Sequence, residues 1–371
     1  MVREIQQCRL PGRNGFTTGT AAAAAAKAAA MRLLTGTTPE SVSVTLPHGD
    51  VLYINVYDTT GSYVGVIKDA GSDPDVTDGI EVLARVRRHD GDQGVCVDGG
   101  YGVGRVTRPG LQVSVGQSAI NPVPRQMIVS AVREVIHDGG IEVEVVVPRG
   151  VDCARGTFNP RLGIVDGISI LGTTGIVRPM STEALKATIR CEIDVSFEED
   201  NRMAYLAPGG IGETAMKTLF EGVRVVQFSN YLGYALSYAR QKGLNHVVIG
   251  GHPGKLAKVL MGYLDTHSSR SPTAVDFIRG FFDLKDNFNT VEEVIQVLRA
   301  GGVTAQGGFS FLAAEIAVRL RGEFGFDRVD VCLFDMDRRV IGQGQCTGQP
   351  HLTAREEKNG ELCSPSDPLA R

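Results

Sequence analysis

The chain has 371 residues, 42% of them apolar, and 38 basic against 42 acidic side chains give a formal net charge of −4. This length exceeds one ordinary core and fits two domains. The acidic balance argues against a nucleic-acid binder working through phosphate contacts, and zero tryptophans with 6% aromatic residues argue against a base-stacking platform.

An acidic protein can still hold a local basic cleft for an anionic small molecule. The seven cysteines are Cys8, Cys96, Cys153, Cys191, Cys332, Cys346 and Cys363. They form no C-x-x-C pair and no disulfide framework, so a reduced, cytoplasmic setting is expected. The run Ala21 to Ala30 is interrupted by Lys27 and does not read as a signal segment. No window supplies the roughly 20 uncharged apolar residues that span a membrane.

In chain order, Thr18 or Thr20 can cap a helix over Ala21 to Leu34, which Gly36 stops. Strand-like runs follow at Ser41 to Leu46, Val51 to Val56, Tyr63 to Lys68 and Ile80 to Arg87. A glycine-dense stretch, DGGYGVGRVTRPGL, and the segment AINPVPRQMI lead into a helix ending near His137; a strand follows at Ile141 to Val147. Neighbouring strands with few crossover helices predict an α+β N-terminal domain over residues 1–180.

From Ser181 the pattern changes. A helix from Thr182 to Arg190, a strand Met203 to Leu206 and the loop APGGIGE precede a helix over Thr214 to Glu221. Then come strand Val223 to Phe228, helix Leu232 to Gln241, strand His246 to Ile249 and a helix through GKLAKVLMG. Helices Val291 to Leu298 and Phe311 to Arg321 precede a final strand, Val329 to Phe334. Alternating strands and helices predict an α/β, Rossmann-like parallel-sheet domain over residues 181–347. The Ser-, Pro- and Glu-rich tail, residues 348–371, is expected to fray.

Three loops of the second domain are candidates for ligand binding, because open parallel sheets bind ligands at the carboxyl ends of their strands. In APGGIGE, Gly209, Gly210 and Gly212 let the backbone approach a ligand at a helix N-terminus, in a way that suits a dinucleotide phosphate or a carboxylate. The strict G-x-G-x-x-G is absent, and an ordinary glycine-rich connection fits equally. Ser229 and Asn230 end the next strand, and GGHPGK follows the third, with Gly251, His252 and Lys255. His252 is a candidate proton shuttle and Lys255 a candidate anion holder. His267, in DTHS, is a further candidate contact. For each histidine a structural role is the competing reading.

In the first domain, KDAGSDPDVTDG concentrates Asp69, Asp73, Asp75 and Asp78 beside Lys68. The spacing lacks a calcium-loop pattern, and Asp and Pro are ordinary turn residues. No metal site is expected, but Asp69 or Asp73 is a candidate general base. A short echo, NGFTTGT at Asn14 to Thr20 and LGTTGI at Leu171 to Ile176, offers hydroxyls and N–H groups to an anion. Helix capping and a simple turn are the alternatives there.

Taken together, these segments resemble the CbiD family, the cobalt-precorrin-5B C(1)-methyltransferases of anaerobic cobalamin synthesis. The matching stretches include GFTTGTAAAAAAKAA, KDAGSDPDVT, GGYGVGRVTRPGL, AINPVPRQMI, TFNPRLGIVDGISILGTTGIVRPMS, FSNYLGYAL, GGHPGKLAKV and THS, in that order from Arg13 to Ser268. Two positions depart from the family pattern: Ser72 stands where a further aspartate is usual, and Pro253 replaces an aliphatic residue. The resemblance implies methyl transfer from S-adenosylmethionine to C-1 of a cobalt-bearing polycarboxylate tetrapyrrole. It implies a donor site at Gly209, Gly210, Gly212, Asn230 and Gly251. It also implies a macrocycle platform in the first domain, with Thr17, Thr18, Lys68, Arg125, Asn159, Arg161, Thr173 and Thr174 as candidate contacts. The cobalt belongs to the substrate. A membrane or nucleic-acid partner is not expected, and a homo-oligomer is left open. Two rivals are a nicotinamide-dependent tetrapyrrole reductase and a non-catalytic corrinoid carrier. Ser229-Asn230 counts against the first, because a dinucleotide site usually closes that strand with an acidic residue.

Overall fold

The structure is a computed structural model and describes residues 12–90, 94–179, 181–300 and 304–347. The chain forms a mixed α/β fold of two compact units, one running to Asn201 and the other starting at Arg202.

The first unit is built around one helix. Helix α1, Thr18–Thr35, is buried at every residue from Thr18 to Ala30. Alanine explains this: it is the best helix former, and its small side chain lets neighbouring elements close in on all sides. Strands β1, Ser41–Thr45, and β2, Val51–Asn55, form an antiparallel hairpin. Strands β3 (Tyr57–Asp58), β4 (Val64–Ile67), β5 (Glu81–His89), β6 (Val95–Gly99) and β7 (Gly140–Val146) form a mixed sheet. Its order is β3-β4-β5-β7-β6, with only the last pair parallel. Helix α1 packs on β4 and β5 and against helix α2, Pro122–Arg133. Lys27, on the buried helix, reaches out to the Ser43 carbonyl at 2.8 Å and pairs with Glu134.

Helix α3, Thr182–Glu199, runs two turns beyond its expected end and belongs to this unit rather than to the second domain. The reason is packing. Glu192 is buried and ion-paired to Arg161 at 2.8 Å, and Val195 joins a small core with Val106, Ala119, Leu162 and Ile164.

The second unit holds strands β8 (Met203–Ala207), β9 (Val225–Gln227), β10 (His246–Gly251), β11 (Arg328–Phe334) and β12 (Val340–Thr347) in the order β9-β8-β10-β11-β12. All neighbours are parallel except β11 and β12, which are antiparallel. So Val329 to Phe334 is not the last strand: an edge strand follows it. Helix α4, Gly210–Leu219, packs on β8, β9 and β10. Helix α5 is Leu232–Gln241, α6 is Val291–Ala300 and α7 is Thr304–Phe324. The helix expected through GKLAKVLMG is one turn, Pro253–Leu256, continued by a 3₁₀ turn. No helix among the described residues is long and apolar enough to cross a membrane. The tail from Gly348 lies outside the described residues.

Candidate functional site

The carboxyl ends of β8, β9 and β10 meet in the second unit. Helix α4 begins at Gly210, four residues before its expected start, so Gly210 and Gly212 sit in its first turn. A Cβ built on Gly209 or Gly210 meets no atom within 4 Å, so the backbone there faces open space at a helix N-terminus. Gly212 and Gly251 serve differently. A Cβ on Gly212 would stand 3.1 Å from the Gly250 carbonyl oxygen, and one on Gly251 would stand 3.0 Å from Pro208. These two glycines let helix and loop close onto strand β10. Gly212 and Gly251, both expected donor contacts, are thus packing positions in the fold.

The turn after β9 is tight, with Ser229 at φ 53°. Asn230 is held by its neighbours: its side-chain oxygen accepts from Lys255 Nζ at 3.0 Å and from the Thr266 hydroxyl at 3.3 Å. Lys255 also donates to the Ser229 carbonyl at 3.4 Å. Among the described residues both its partners are neutral oxygens. Burial, and then the neighbouring Lys258 ammonium, holds its pKa below the usual lysine range. A half-buried cation without a carboxylate is suited to an anion.

Both ring nitrogens of His252 have partners. Its Nδ1 accepts from the Gly254 N–H at 3.1 Å, capping the one-turn helix, and Nε2 lies 3.1 Å from Glu292 Oε2. The first bond fixes the proton on Nε2, so the ring donates to the carboxylate. Burial lowers the pKa of the ring, against the pull of Glu292. Pro253 fits this turn because the first helical residue needs no N–H. His267 is exposed, and its Nδ1 organises its own loop by accepting from the Ser269 N–H at 3.1 Å. Two residues missed in the sequence, Lys258 and Glu292, line a cavity of about 440 Å³ with His252. The available signal was Lys258 standing one helical turn after Lys255.

In the first unit the expected contacts are largely drawn into the fold. The two Thr-Thr-Gly segments lie against each other. Thr17 caps α1, accepting from the Thr20 N–H at 3.2 Å, and Thr18 Oγ1 accepts from the Leu171 N–H at 2.9 Å. Thr20 donates to the Gly175 carbonyl at 2.8 Å, and Gly15–Phe16 pairs with Ile176–Val177. Thr174 closes its own turn with Ile176, while Thr173 is exposed. Lys68 is 2% exposed and ion-paired to Asp75 at 2.7 Å. Burial alone would raise the Asp75 carboxyl, but Lys68 and the Thr77 N–H and hydroxyl outweigh it and hold the pKa low.

Asp69 receives both terminal nitrogens of Arg13, at 2.6 and 2.7 Å, and the Gly71 N–H, so it braces a turn. The Asp73 N–H bonds to the Ala70 carbonyl at 3.3 Å in the same turn. Ser72 Oγ accepts the Arg13 N–H at 3.0 Å, which gives that departure a place in the loop. Asn159 is buried with its amide satisfied by Gly167 and Ser169 at 2.9 and 3.0 Å. Arg161 holds Glu192, and Arg125 donates to the Val97 carbonyl. Lys68 and Asn159 are thus buried, and Thr17, Thr18 and Arg161 have structural partners. Among the described residues no cluster of metal-ligating side chains forms.

Open glycine backbone at a helix start and a half-buried cation, both at strand carboxyl ends, are features of the kind at which α/β proteins bind small ligands. The profile of the CbiD family matches residues 5–179. A cobalt-precorrin-5B C(1)-methyltransferase of Moorella thermoacetica is 44% identical, over 91% of this chain and 96% of its own. Enzymes of the same name from Thermoanaerobacter sp. and Methanocaldococcus jannaschii are 38% and 37% identical, over 89% and 91% of this chain and 95% and 98% of theirs. A crystal structure of a cobalamin biosynthesis protein from Archaeoglobus fulgidus is 29% identical with a TM-score of 0.39, covering 70% of this chain and 83% of that one. The chain belongs to the CbiD family.

Proposed function

We propose that this chain is an S-adenosylmethionine-dependent C-methyltransferase that methylates C-1 of cobalt-precorrin-5B, giving cobalt-precorrin-6A in cobalamin biosynthesis. The relatives' shared name over nine-tenths of the chain supports the reaction. The structural observation that carries the donor site is the open backbone at Gly209 and Gly210. The strand order reverses between β8 and β10, and in a Rossmann-like sheet that switch point is where ligands bind.

The donor's sulfonium makes its methyl group electrophilic; transfer breaks the methyl–sulfur bond, forms the bond to C-1 and leaves S-adenosylhomocysteine. The chain's own residues need supply no covalent step, only alignment and exclusion of water. Gly209 and Gly210 admit the donor against the backbone, and Asn230, fixed by Lys255 and Thr266, borders it. In the first unit, Arg125 and Thr173 are contacts for the polycarboxylate macrocycle, and Asp73 is a candidate general base.

Calorimetry with S-adenosylhomocysteine and with NADPH tests the reading. Binding of the first alone is expected; binding of NADPH instead favours a reductase, and of neither a carrier. Gly210→Val has room to fold, so it should weaken S-adenosylhomocysteine about tenfold or more through its side chain alone. Unchanged affinity in the folded variant would remove the donor from this loop.

A further inference from the structure

The cavity beside His252 is lined by charged groups of both signs that the site above does not use. Lys258 is 6% exposed and comes from the 3₁₀ turn after the one-turn helix. Its ammonium donates to the Thr266 carbonyl at 3.0 Å and the Ser271 hydroxyl at 2.9 Å. Both partners are neutral, and among the described residues no carboxylate pairs with it. An ammonium has three donors, so one N–H and the whole charge remain. A buried charge in this position favours an anion strongly.

Glu292, in the first turn of α6, supplies the opposite sign. Both of its bonds fall on Oε2, from His252 at 3.1 Å and from the Met336 N–H at 3.3 Å. Oε1 keeps its lone pairs. Ala274, Val275, Val291 and Met336 give the cavity an apolar wall. One cation with a spare donor, one anion with a spare oxygen and an apolar wall between polar ends complement a zwitterion on a short aliphatic chain.

We infer that this cavity receives an α-amino-acid group, its carboxylate on Lys258 and its ammonium on Glu292, and that the group is the amino-acid end of the methyl donor. The inference rests on the donor reading above and assigns the nucleoside, by difference, to the Gly209–Gly210 backbone. The carboxylate arms of a tetrapyrrole fit less well, since they bring negative charge to both Lys258 and Glu292.

The test compares S-adenosylhomocysteine with 5′-methylthioadenosine, which keeps the nucleoside and the thioether but lacks the amino-acid group, by calorimetry on the full chain. Lys258→Met and Glu292→Gln should each weaken S-adenosylhomocysteine about ten- to a hundredfold, as for a charged hydrogen bond, and leave 5′-methylthioadenosine unchanged. Glu292→Gln keeps an oxygen for His252 and Met336, so it removes charge and little else. Should Lys258→Met fail to fold, Thr273→Trp, at an exposed cavity-lining position, should lower S-adenosylhomocysteine affinity selectively. Folded variants that bind S-adenosylhomocysteine like wild type overturn the inference while leaving the donor reading intact, and so does equal loss of both ligands. A wild-type chain that binds neither ligand overturns the donor reading itself.

Discussion

Lys68 and Asp75 show how a charged side chain in a ligand-like motif can belong to the core. The ammonium is 1% exposed and its partner carboxylate 25% exposed, so removing one charge leaves the other stranded. We expect Asp75→Asn to destabilise the chain by about 3–5 kcal/mol in urea unfolding, and a joint apolar replacement of both residues to cost much less. The pH sign follows from the lowered carboxyl. Below its ordinary value of 3.8 the unfolded chain takes up this proton before the folded one does. The stabilisation is complete above that value and disappears as pH falls through the lower, folded pKa. Asp75→Asn should therefore flatten the acid limb of the stability curve; an acid limb as steep as wild type would mean that other carboxylates set it.

At the scale of elements, the sequence made β1, β2, β4, β5, β7 and β10 readable to within a residue or two, because their apolar residues alternate or run together. Strand β12 was invisible for a physical reason. Its inward positions Gly342 and Gly344 lie directly on helix α7, where Cβ atoms would stand 2.4 Å from the Phe309 backbone and 2.1 Å from the Ala314 nitrogen. Glycine that makes room for a neighbouring helix looks, in one dimension, like glycine in a loop. Gly344→Val should cost about 3 kcal/mol or more by overpacking, measured as a fall in the urea midpoint with an unchanged slope. A smaller loss would show that α7 can withdraw from the sheet. The same ambiguity left two readings open for Thr17, Thr18 and Asp69: small polar residues that can hold an anion also cap helices and brace turns. Gly209 and Gly210 were legible as glycines at a strand-to-helix turn, but only coordinates separate their open backbone from the close packing at Gly212 and Gly251.

For the whole molecule, the family could be read from ordered motifs, whereas the unit boundary could not. The change in pattern near Ser181 marks where helices begin to alternate with strands, yet α3 is bound to the first unit through Arg161–Glu192 and Val195. The family profile itself ends at residue 179, before that helix. A fragment ending at Asn201 should unfold cooperatively, while one ending at Pro179 should lose cooperativity, since Arg161 then lacks Glu192 and the cluster around Val106 and Ile164 is uncovered. Calorimetric scans of the two fragments decide this; equal, sharp transitions would place α3 outside the folding unit.

Helix α1 carries a consequence for how this chain can vary. A helix on a protein surface has an outer stripe where substitution is nearly free, and its tolerance rises and falls with each turn. From Thr18 to Ala30 no such stripe exists. Each alanine there is buried, and a Cβ on Gly19 would stand 2.7 Å from the Pro124 side chain. The plainest stretch of the sequence is thus the least negotiable, because thirteen buried residues in a row, all but Lys27 of them Ala, Gly or Thr, leave the folded unit no direction in which to grow.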